Sequence, residues 1–459
     1  MSTTGASGTG TTGSSTLVTS TAGDTASESD STSSSSSDSG SSDTDTETTG
    51  GRGLDLDPGI YVRASDGLDG APGTPDEPMR TIQAAIDRAV ATDVGNVYVA
   101  EGEYVTDHDV DDHVIVEDGV SLWGGFDASW EERNPAVHIT EVTDVGTDDA
   151  SSSLANLNTV LEVGESVGAD TVVDGFRFIG STGGDYAVLW ARGDATVSNN
   201  EFLAPDLGNS THLWLVYFTS SEARLEHNRI EGFTDEDGIE CGGEANTTPT
   251  LHANTIDITG APGTVRGIRL LCEGVVSNNV IRVHHAGTFI GIGVQLESDN
   301  TLVVSNTIHV ETTGTGGSPI GVEYSDTGDL GLHNNIVVAT GTANTRGLFI
   351  STGGNALVGG LTHNVLATDR ALDCGGGCDD QDSIAGMQVE LPGASDNTDL
   401  PPAFVDMDAG NYDLAPGSLC AIAQGGTPMA ADAGPDDIAG TPRTEPWSIG
   451  AYEFDAVCG

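Results

Sequence analysis

The chain contains no lysine: all 15 of its basic residues are arginine, against 71 aspartates and glutamates, for a formal net charge of −56. Every lysine-dependent mechanism is thereby excluded. Phosphate backbones and anionic lipid surfaces both need an excess of cations, so neither nucleic acid nor an anionic membrane is expected as a partner. An anionic ligand would need a local arginine pocket or bound divalent cations. Long apolar runs are also missing. No stretch of 18 apolar residues exists, so no transmembrane segment is expected. The first ten residues have neither a basic start nor an apolar core, and as written they do not read as a secretory signal. Cysteine is sparse, with six at positions 241, 272, 374, 378, 420 and 458; an even number fits an oxidising compartment. Glycine is the residue in excess. Its 63 copies in 459 residues are about twice the usual share of about 7%, which implies many tight turns.

Residues 1–50 hold 16 Ser, 14 Thr and 7 Gly, with 5 Asp and 2 Glu as the only charges. Such a segment cannot bury enough apolar surface to offset its ordering entropy, and 1–57 is expected to be a disordered stalk. Beyond it the chain changes character. Ile60-Tyr61-Val62 and Val97-Tyr98-Val99 read as short strands, with a Gly- and Pro-rich loop over 66–78. Between them Ile82, Ala85, Ile86 and Ala89 follow helical spacing, with Thr81 as N-cap.

From about residue 174 a pattern of polar, any, apolar recurs every 25–30 residues: Asp174-Gly175-Phe176, Asn200-Glu201-Phe202, Asn228-Arg229-Ile230, Asn254-Thr255-Ile256, Asn279-Val280-Ile281, Asn306-Thr307-Ile308, Asn334-Asn335-Ile336 and Asn364-Val365-Leu366. A second motif falls between these, Gly238-Ile239, Gly267-Ile268, Gly293-Val294, Gly321-Val322 and Gly347-Leu348. Two or three short strands per fixed period make one coil of a parallel solenoid. One coil cannot bury its own inward face, so coils must stack at the inter-strand spacing of about 4.8 Å, with Ile, Val and Leu in continuous ladders. The asparagines are expected at the turns, where they tolerate left-handed backbone and hydrogen-bond to one another along the axis.

The segments Ile60-Tyr61-Val62, Gly73-Thr74, Pro78, Thr81 to Ile86, Val97-Tyr98-Val99 and Gly102-Glu103-Tyr104 resemble the opening motif of bacterial right-handed parallel β-helix surface proteins of the pectate-lyase-like superfamily. Ser121 to Phe126 followed by Trp130 and Arg133 is similar to a segment of their surface members. Phe404-Val405-Asp406, Tyr412-Asp413-Leu414, Asp437 to Arg443 and Ile449 to Glu453 resemble their endings. The resemblance spans about 59–454. It implies an all-β, right-handed parallel β-helix over 58–394, with a helix-containing N-terminal cap at 58–105 and an irregular C-terminal cap at 395–459. It also implies a lipoprotein-like layout, with the stalk anchored upstream and the protein extracellular or on a bacterial cell surface. The fold hosts lyases, hydrolases, epimerases, adhesins and inert rods. The residue sets of its polygalacturonase-like hydrolases and uronan epimerases are not found here.

Aligning the coils on the Gly-Ile motif places Glu240, Arg269, Gln295, Glu323 and Phe349 at one outward position, with Asp235, Glu236 and Asp237 before the first and Arg266 before the second. Carboxylates beside arginines on adjacent coils suit calcium and a sugar acid, or else form a solvated cross-strand ion-pair ladder. Arg266, Arg269, Asp237 and Glu240 are the catalytic candidates. Glu240, Arg269, Gln295, Glu323, Trp190 and Trp214 are the binding candidates. Trp190, Trp214 and Tyr217 stack on sugars if exposed and fill the core if buried. Asp107, Asp109 and Asp111 alternate onto one side and are candidate ligands for a hard cation, calcium first; the other reading is an acidic loop. Cys374 with Cys378, and Cys420 with Cys458, are the expected disulfides. Cys241 and Cys272 lie two residues out of register on adjacent coils, beyond the expected reach of about 7 Å.

The expected function is a secreted or surface-displayed structural or binding module, with a polysaccharide or cell-envelope component as partner. The alternative is a calcium-assisted, Arg-dependent lyase acting on acidic glycans. A lyase needs Arg266 or Arg269 in a groove with two or more carboxylates directed at it; a binding module needs only an exposed polar or aromatic face.

Overall fold

The computed structural model describes residues 54, 56–108, 112–146, 158–181, 187–205, 212–219, 222–242, 247–260, 263–298, 300–325, 330–342, 344–351, 360–429 and 433–454. The expected stalk, Asp109, Asp111 and Cys458 lie outside these residues, apart from the stalk's last few positions.

The repeating alternation folds into a parallel β-solenoid. Its first sheet has twelve strands, beginning Ile60–Val62, Asn96–Ala100, Ser121–Phe126 and Val172–Asp174 and ending Leu361–Thr362 and Ala394–Ser395. Each pairs in parallel with the strand one coil before and one coil after. Nineteen further strands supply the other two faces. The strand Arg229–Cys241 shows how one chain segment serves both. Its first half pairs with Thr255–Gly260, its second half with Val265–Leu270.

Inward positions stack in register. Phe178, Phe202, Ile230, Ile256, Ile281, Ile308, Val337 and Leu366 form one such row, and all are buried. Burying a side chain of this size contributes about 1.5–3 kcal/mol. The Gly-Ile motif marks the place where two faces meet. A Cβ on Gly293 would lie 2.3 Å from Ile308 Cγ2 and 2.6 Å from the Gly321 carbonyl oxygen. Gly238, Gly267 and Gly321 face the same crowding against Ile258, Ile281 and Val337, so the motif is set by close packing.

The asparagine ladder exists, with its register corrected at two coils. Its members are Asn200, Asn228, Asn254, Asn279, Asn306, Asn335, Asn364 and Asn397. Each of the first seven donates from Nδ2 to the next Oδ1, as from Asn279 to Asn306 at 3.0 Å, and from its backbone N–H to that same oxygen. All eight also donate to a carbonyl of the preceding coil, as Asn279 does to Leu251 and Asn397 to Leu361. Asn335, not Asn334, is the rung. Asp174 pairs with Ser198, two positions short of the ladder. Left-handed backbone belongs to the residue before each rung, Asn199, His227, Ala253, Asn278, Ser305, Asn334 and His363, with φ of 54–59°. The rung itself is held by hydrogen bonds, so the side-chain amide, and not tolerance of positive φ, selects asparagine.

Helix α1 (Ile82–Thr92) places Ile82, Ala85, Ile86 and Ala89 in the main core cluster beside the first strands. Thr81 is its N-cap residue, but its side chain accepts no capping bond; Asp69 Oδ1 receives the Thr81 N–H instead. At the other end of the strand order, helix α2 (Ile384–Glu390) adds Ile384 and Met387 to the same cluster. The segment after Ala394–Ser395 does not remain over the last coil. It reaches back along the flank: Asn334 Nδ2 donates to the Thr427 carbonyl, Thr307 Oγ1 accepts from Ala451 N–H, and Arg443 Nη2 donates to Asn278 Oδ1 at 2.8 Å.

Cys374 is bonded to Cys378, and Cys420 is disulfide-bonded. Cys241 and Cys272 are also bonded, with Cα atoms 6.0 Å apart, contrary to the reach expected from register. The chain bends after strand Val265–Leu270, where Leu271 and Cys272 leave the strand, and returns Cys272 toward Cys241.

Candidate functional site

The strands that run through Ala187–Ala191, Val265–Leu270, Gly291–Leu296, Ile320–Tyr324 and Arg346–Ile350 make one face of the solenoid, its third sheet, and the outward side of that face carries the row read from the Gly-Ile alignment. Its register is Glu162, Trp190, Tyr217, Glu240, Arg269, Gln295, Glu323, Phe349 and Asp373. A second row three residues earlier runs Trp214, Asp237, Arg266, Ile292, Ile320 and Arg346. The structure therefore brings all four catalytic candidates together, with Gln295 and Glu323 on the next coils.

The aromatics do not form an open platform. Trp214 and Tyr217 are buried and stacked on each other, with centroids 4.3 Å apart. Trp214 Nε1 donates to Glu240 Oε2 at 3.0 Å, so its role at this site is to hold a carboxylate. Trp190 is half-buried, donates from Nε1 to Thr219, and lies under the Arg192 guanidinium at 4.5 Å. Phe349, at the other end of the row, lies under Arg346 at 4.9 Å. These ring faces are thus already covered by cations or by each other.

The centre of the row is polar, with its carboxylates buried beneath partly exposed arginines. Asp237 is fully buried and Glu240 is 7% exposed. Arg266 Nη1 donates to Asp237 Oδ1 at 2.8 Å. Arg269 Nη1 donates to Glu240 Oε2 at 3.2 Å and lies 4.0 Å from Asp237 Oδ2; its Nε donates to Glu297 Oε1 at 3.0 Å. Glu297 escaped the sequence reading because it follows the strand; two residues beyond Gln295, it shares that residue's side. Burial, the hydrogen bond to Asp237 and the charge of Asp237 together push the Glu240 carboxyl up to about 8. Burial likewise raises Glu323. Asp237 Oδ2 and Gln295 Oε1 accept from no amide, guanidinium, indole or hydroxyl among the described residues, and Arg266 Nε has no acceptor. A protonated Glu240 is the donor available to Asp237 Oδ2. Unmade bonds at buried polar groups cost about 1–3 kcal/mol each; such atoms also occur on other faces of the solenoid, as at Arg282 Nε, His285 Nδ1 and Thr301 Oγ1.

Glu236, Asp237 and Glu240 also present carboxylate oxygens within 4.8 Å of one another. At the earlier acidic segment, Asp107 and Asp112 exchange backbone hydrogen bonds, and His108 is buried against Asp144, their side chains paired. Asp109 and Asp111 lie outside the described residues, so of the three aspartates the structure places Asp107 alone.

A depression of about 570 Å³ on another face is lined by Arg133, Asp174, Asn199, His227 and Arg229. Its central Asp174 already accepts from Arg133, Ser198 and Asn199, so it lacks the unmade bonds of the third-sheet row.

Searches of curated proteins and of solved structures find no match. Residues 65–280 match the family described as "Protein of unknown function (DUF1565)". That is a right-handed β-helix family, and over these residues, from the loop before α1 to the strand beginning at Val280, the chain is similar to it in both sequence and solenoid architecture.

Proposed function

We propose that the protein is an extracellular β-helix binding module whose third-sheet face, from Asp237 to Glu323, holds a polysaccharide by hydrogen bonds. The observation that carries this reading is the outward polar row Glu240, Arg269, Gln295 and Glu323, in register on consecutive coils, with Arg266 Nε and Gln295 Oε1 buried beside it without partners among the described residues. A repeating polyol laid along the axis offers donors and acceptors at each coil. Disulfides at Cys241–Cys272 and Cys374–Cys378 support an oxidising, extracellular location.

The lyase reading draws on one feature: Arg269 has three carboxylates directed at it, from Glu240, Glu297 and Asp237. A Brønsted base must lose its proton, however. Burial favours that loss, but Glu240 and Glu297 outweigh it and hold the guanidinium above its usual range. Calcium fits the same carboxylates poorly. The guanidiniums of Arg266 and Arg269 already sit on Asp237 and Glu240, and calcium prefers six to eight oxygens. The favoured role is binding without bond cleavage.

The test is glycan pull-down across neutral, basic and acidic polysaccharides, with absorbance at the unsaturated-uronate band followed in parallel, with and without calcium. Retention that Gln295→Ala weakens, with flat absorbance, is expected. A calcium-dependent absorbance rise that Arg269→Ala abolishes would instead establish the lyase.

A further inference from the structure

We propose that the depression lined by Arg133, Arg177 and Arg229 is a second binding site, one that takes the carboxylate or phosphate group of a small polar molecule. It stands apart from the polysaccharide reading of the third-sheet face and does not depend on it.

The depression inverts the composition of the chain. Among the described residues, three of the 15 arginines line it, against two of the 71 acidic residues, Asp174 and Glu201. The negative charge elsewhere on the surface is screened beyond about 8 Å at physiological salt, so the local set decides which group is admitted. Its volume of about 570 Å³ falls in the usual range of small-molecule sites, about 300–1,000 Å³. Register builds one wall. Arg177, Glu201 and Arg229 stack at one position on three consecutive coils, and Glu201 accepts from Arg177 Nε and Arg229 Nη1. Arg133 comes from the loop after strand Ser121–Phe126. Its guanidinium lies over the Trp123 and Phe126 rings and is held by the Gly124 carbonyl and Asp174.

The lining carboxylates are fully engaged and the guanidiniums are not. Asp174 Oδ1 accepts from Arg133, and its Oδ2 from Ser198 and Asn199. Both oxygens of Glu201 accept from the arginines on either side. A guanidinium carries five N–H donors. Among the described residues, Arg133 Nη1, Arg177 Nη2 and Arg229 Nε make no hydrogen bond. These side chains are 26%, 31% and 47% exposed, so a ligand reaches them from solvent. Glu141 and Glu231, the other partners of Arg177 and Arg229, do not line the depression. A ligand ammonium would find every lining carboxylate oxygen already paired. A neutral hydroxyl would take a single bond and leave the charge unused. An oxyanion takes several bonds at once, charge-assisted and in the planar geometry that a guanidinium favours.

The experiment is calorimetric titration of the full chain with glycerate, glycerol phosphate and glycerol, which differ in the charged group on one small frame. An anion is expected to bind at least about tenfold more tightly than glycerol, and the tighter of the two anions names the group. Arg133→Gln and Arg229→Gln should each weaken that binding about tenfold. Arg224→Gln, at an exposed arginine paired with Glu226 outside the depression, should leave it unchanged. Circular dichroism would confirm that the variants are folded, and the exposed Arg229 carries the test if Arg133→Gln does not fold. Gln295→Ala should also leave anion binding unchanged, which separates this site from the third-sheet face. Equal binding of glycerol, binding of neither anion, or anion binding that Arg229→Gln leaves intact would each overturn the proposal.

Discussion

Glu240 makes a pH-dependent contribution whose sign follows from its burial against Asp237. Its folded-state carboxyl titrates at about 8, above the ordinary 4.5, so the folded state binds the extra proton between those values. The contribution is complete below about pH 4.5 and is lost as pH rises through about 8. The melting temperature is expected to fall between pH 6 and pH 9, and Glu240→Gln should flatten that fall; an identical slope in the variant would contradict the assignment. At the ladder, Asn306→Ala removes the acceptor for both the N–H and Nδ2 of Asn279 and the donor to the Val276 carbonyl. At about 1–3 kcal/mol for each buried group left unmade, chemical denaturation should show a loss of several kcal/mol. Asn334→Ala, one residue away, leaves the ladder whole. It should cost only the paired hydrogen bonds with Thr427 and the modest strain of alanine in left-handed backbone, which distinguishes the observed rung from the one the sequence motif suggested.

Among the elements, the C-terminal segment is joined to the coils by buried apolar clusters, such as Ile336 and Val365 with Leu414, Ile422 and Ile449, and by buried hydrogen bonds. Arg443 donates across to Asn278 Oδ1 and, within the segment, to the Gly450 and Ala451 carbonyls, with its side chain fully buried. Arg443→Ala strands those acceptors and is expected to cost about 3–5 kcal/mol, read as new protease sensitivity confined to residues after 400. His309 adds a pH dependence of opposite sign. Burial first, then the charges of His284 and Arg282, lowers it to about 4, and its Nδ1 meets the Tyr412 hydroxyl at 2.7 Å. Thr340 lies at its other nitrogen. Its contribution is present above pH 6.5 and lost as pH falls toward 4. Cleavage of the same segment at low pH should therefore be slower in a variant that stays neutral, His309→Gln, than in the native chain. The glycine row is equally specific. Gly293→Ala overpacks against Ile308 and is expected to destabilise by about 1–3 kcal/mol, whereas Gly70→Ala, with open space around it, should be neutral in the same melt.

For the whole molecule, what could be read in advance was what repeats. The recurrence of Asn and Gly-Ile motifs led to the parallel solenoid and to the outward row Glu240, Arg269, Gln295, Glu323 and Phe349, because equivalent positions in stacked coils must become neighbours. What does not repeat was not legible. The return of Cys272 depends on a bend after a strand, the burial of Trp214 on its stack with Tyr217, and the path of residues 404–454 on contacts with coils 93 to 165 residues earlier. Adjacent Asn334 and Asn335 left the rung ambiguous, since composition alone cannot separate two identical neighbours. Charge balance at the site was likewise hidden until Glu297 came beside Arg269. The central claim is that the third-sheet face is where this solenoid meets its ligand. Hydrogen–deuterium exchange of the chain with and without a retained polysaccharide tests it most directly. Added protection confined to residues 237–241, 265–270 and 291–297 is the expected result. Protection centred on Arg133, Asp174 and Arg229, or spread evenly over all three faces, would contradict it.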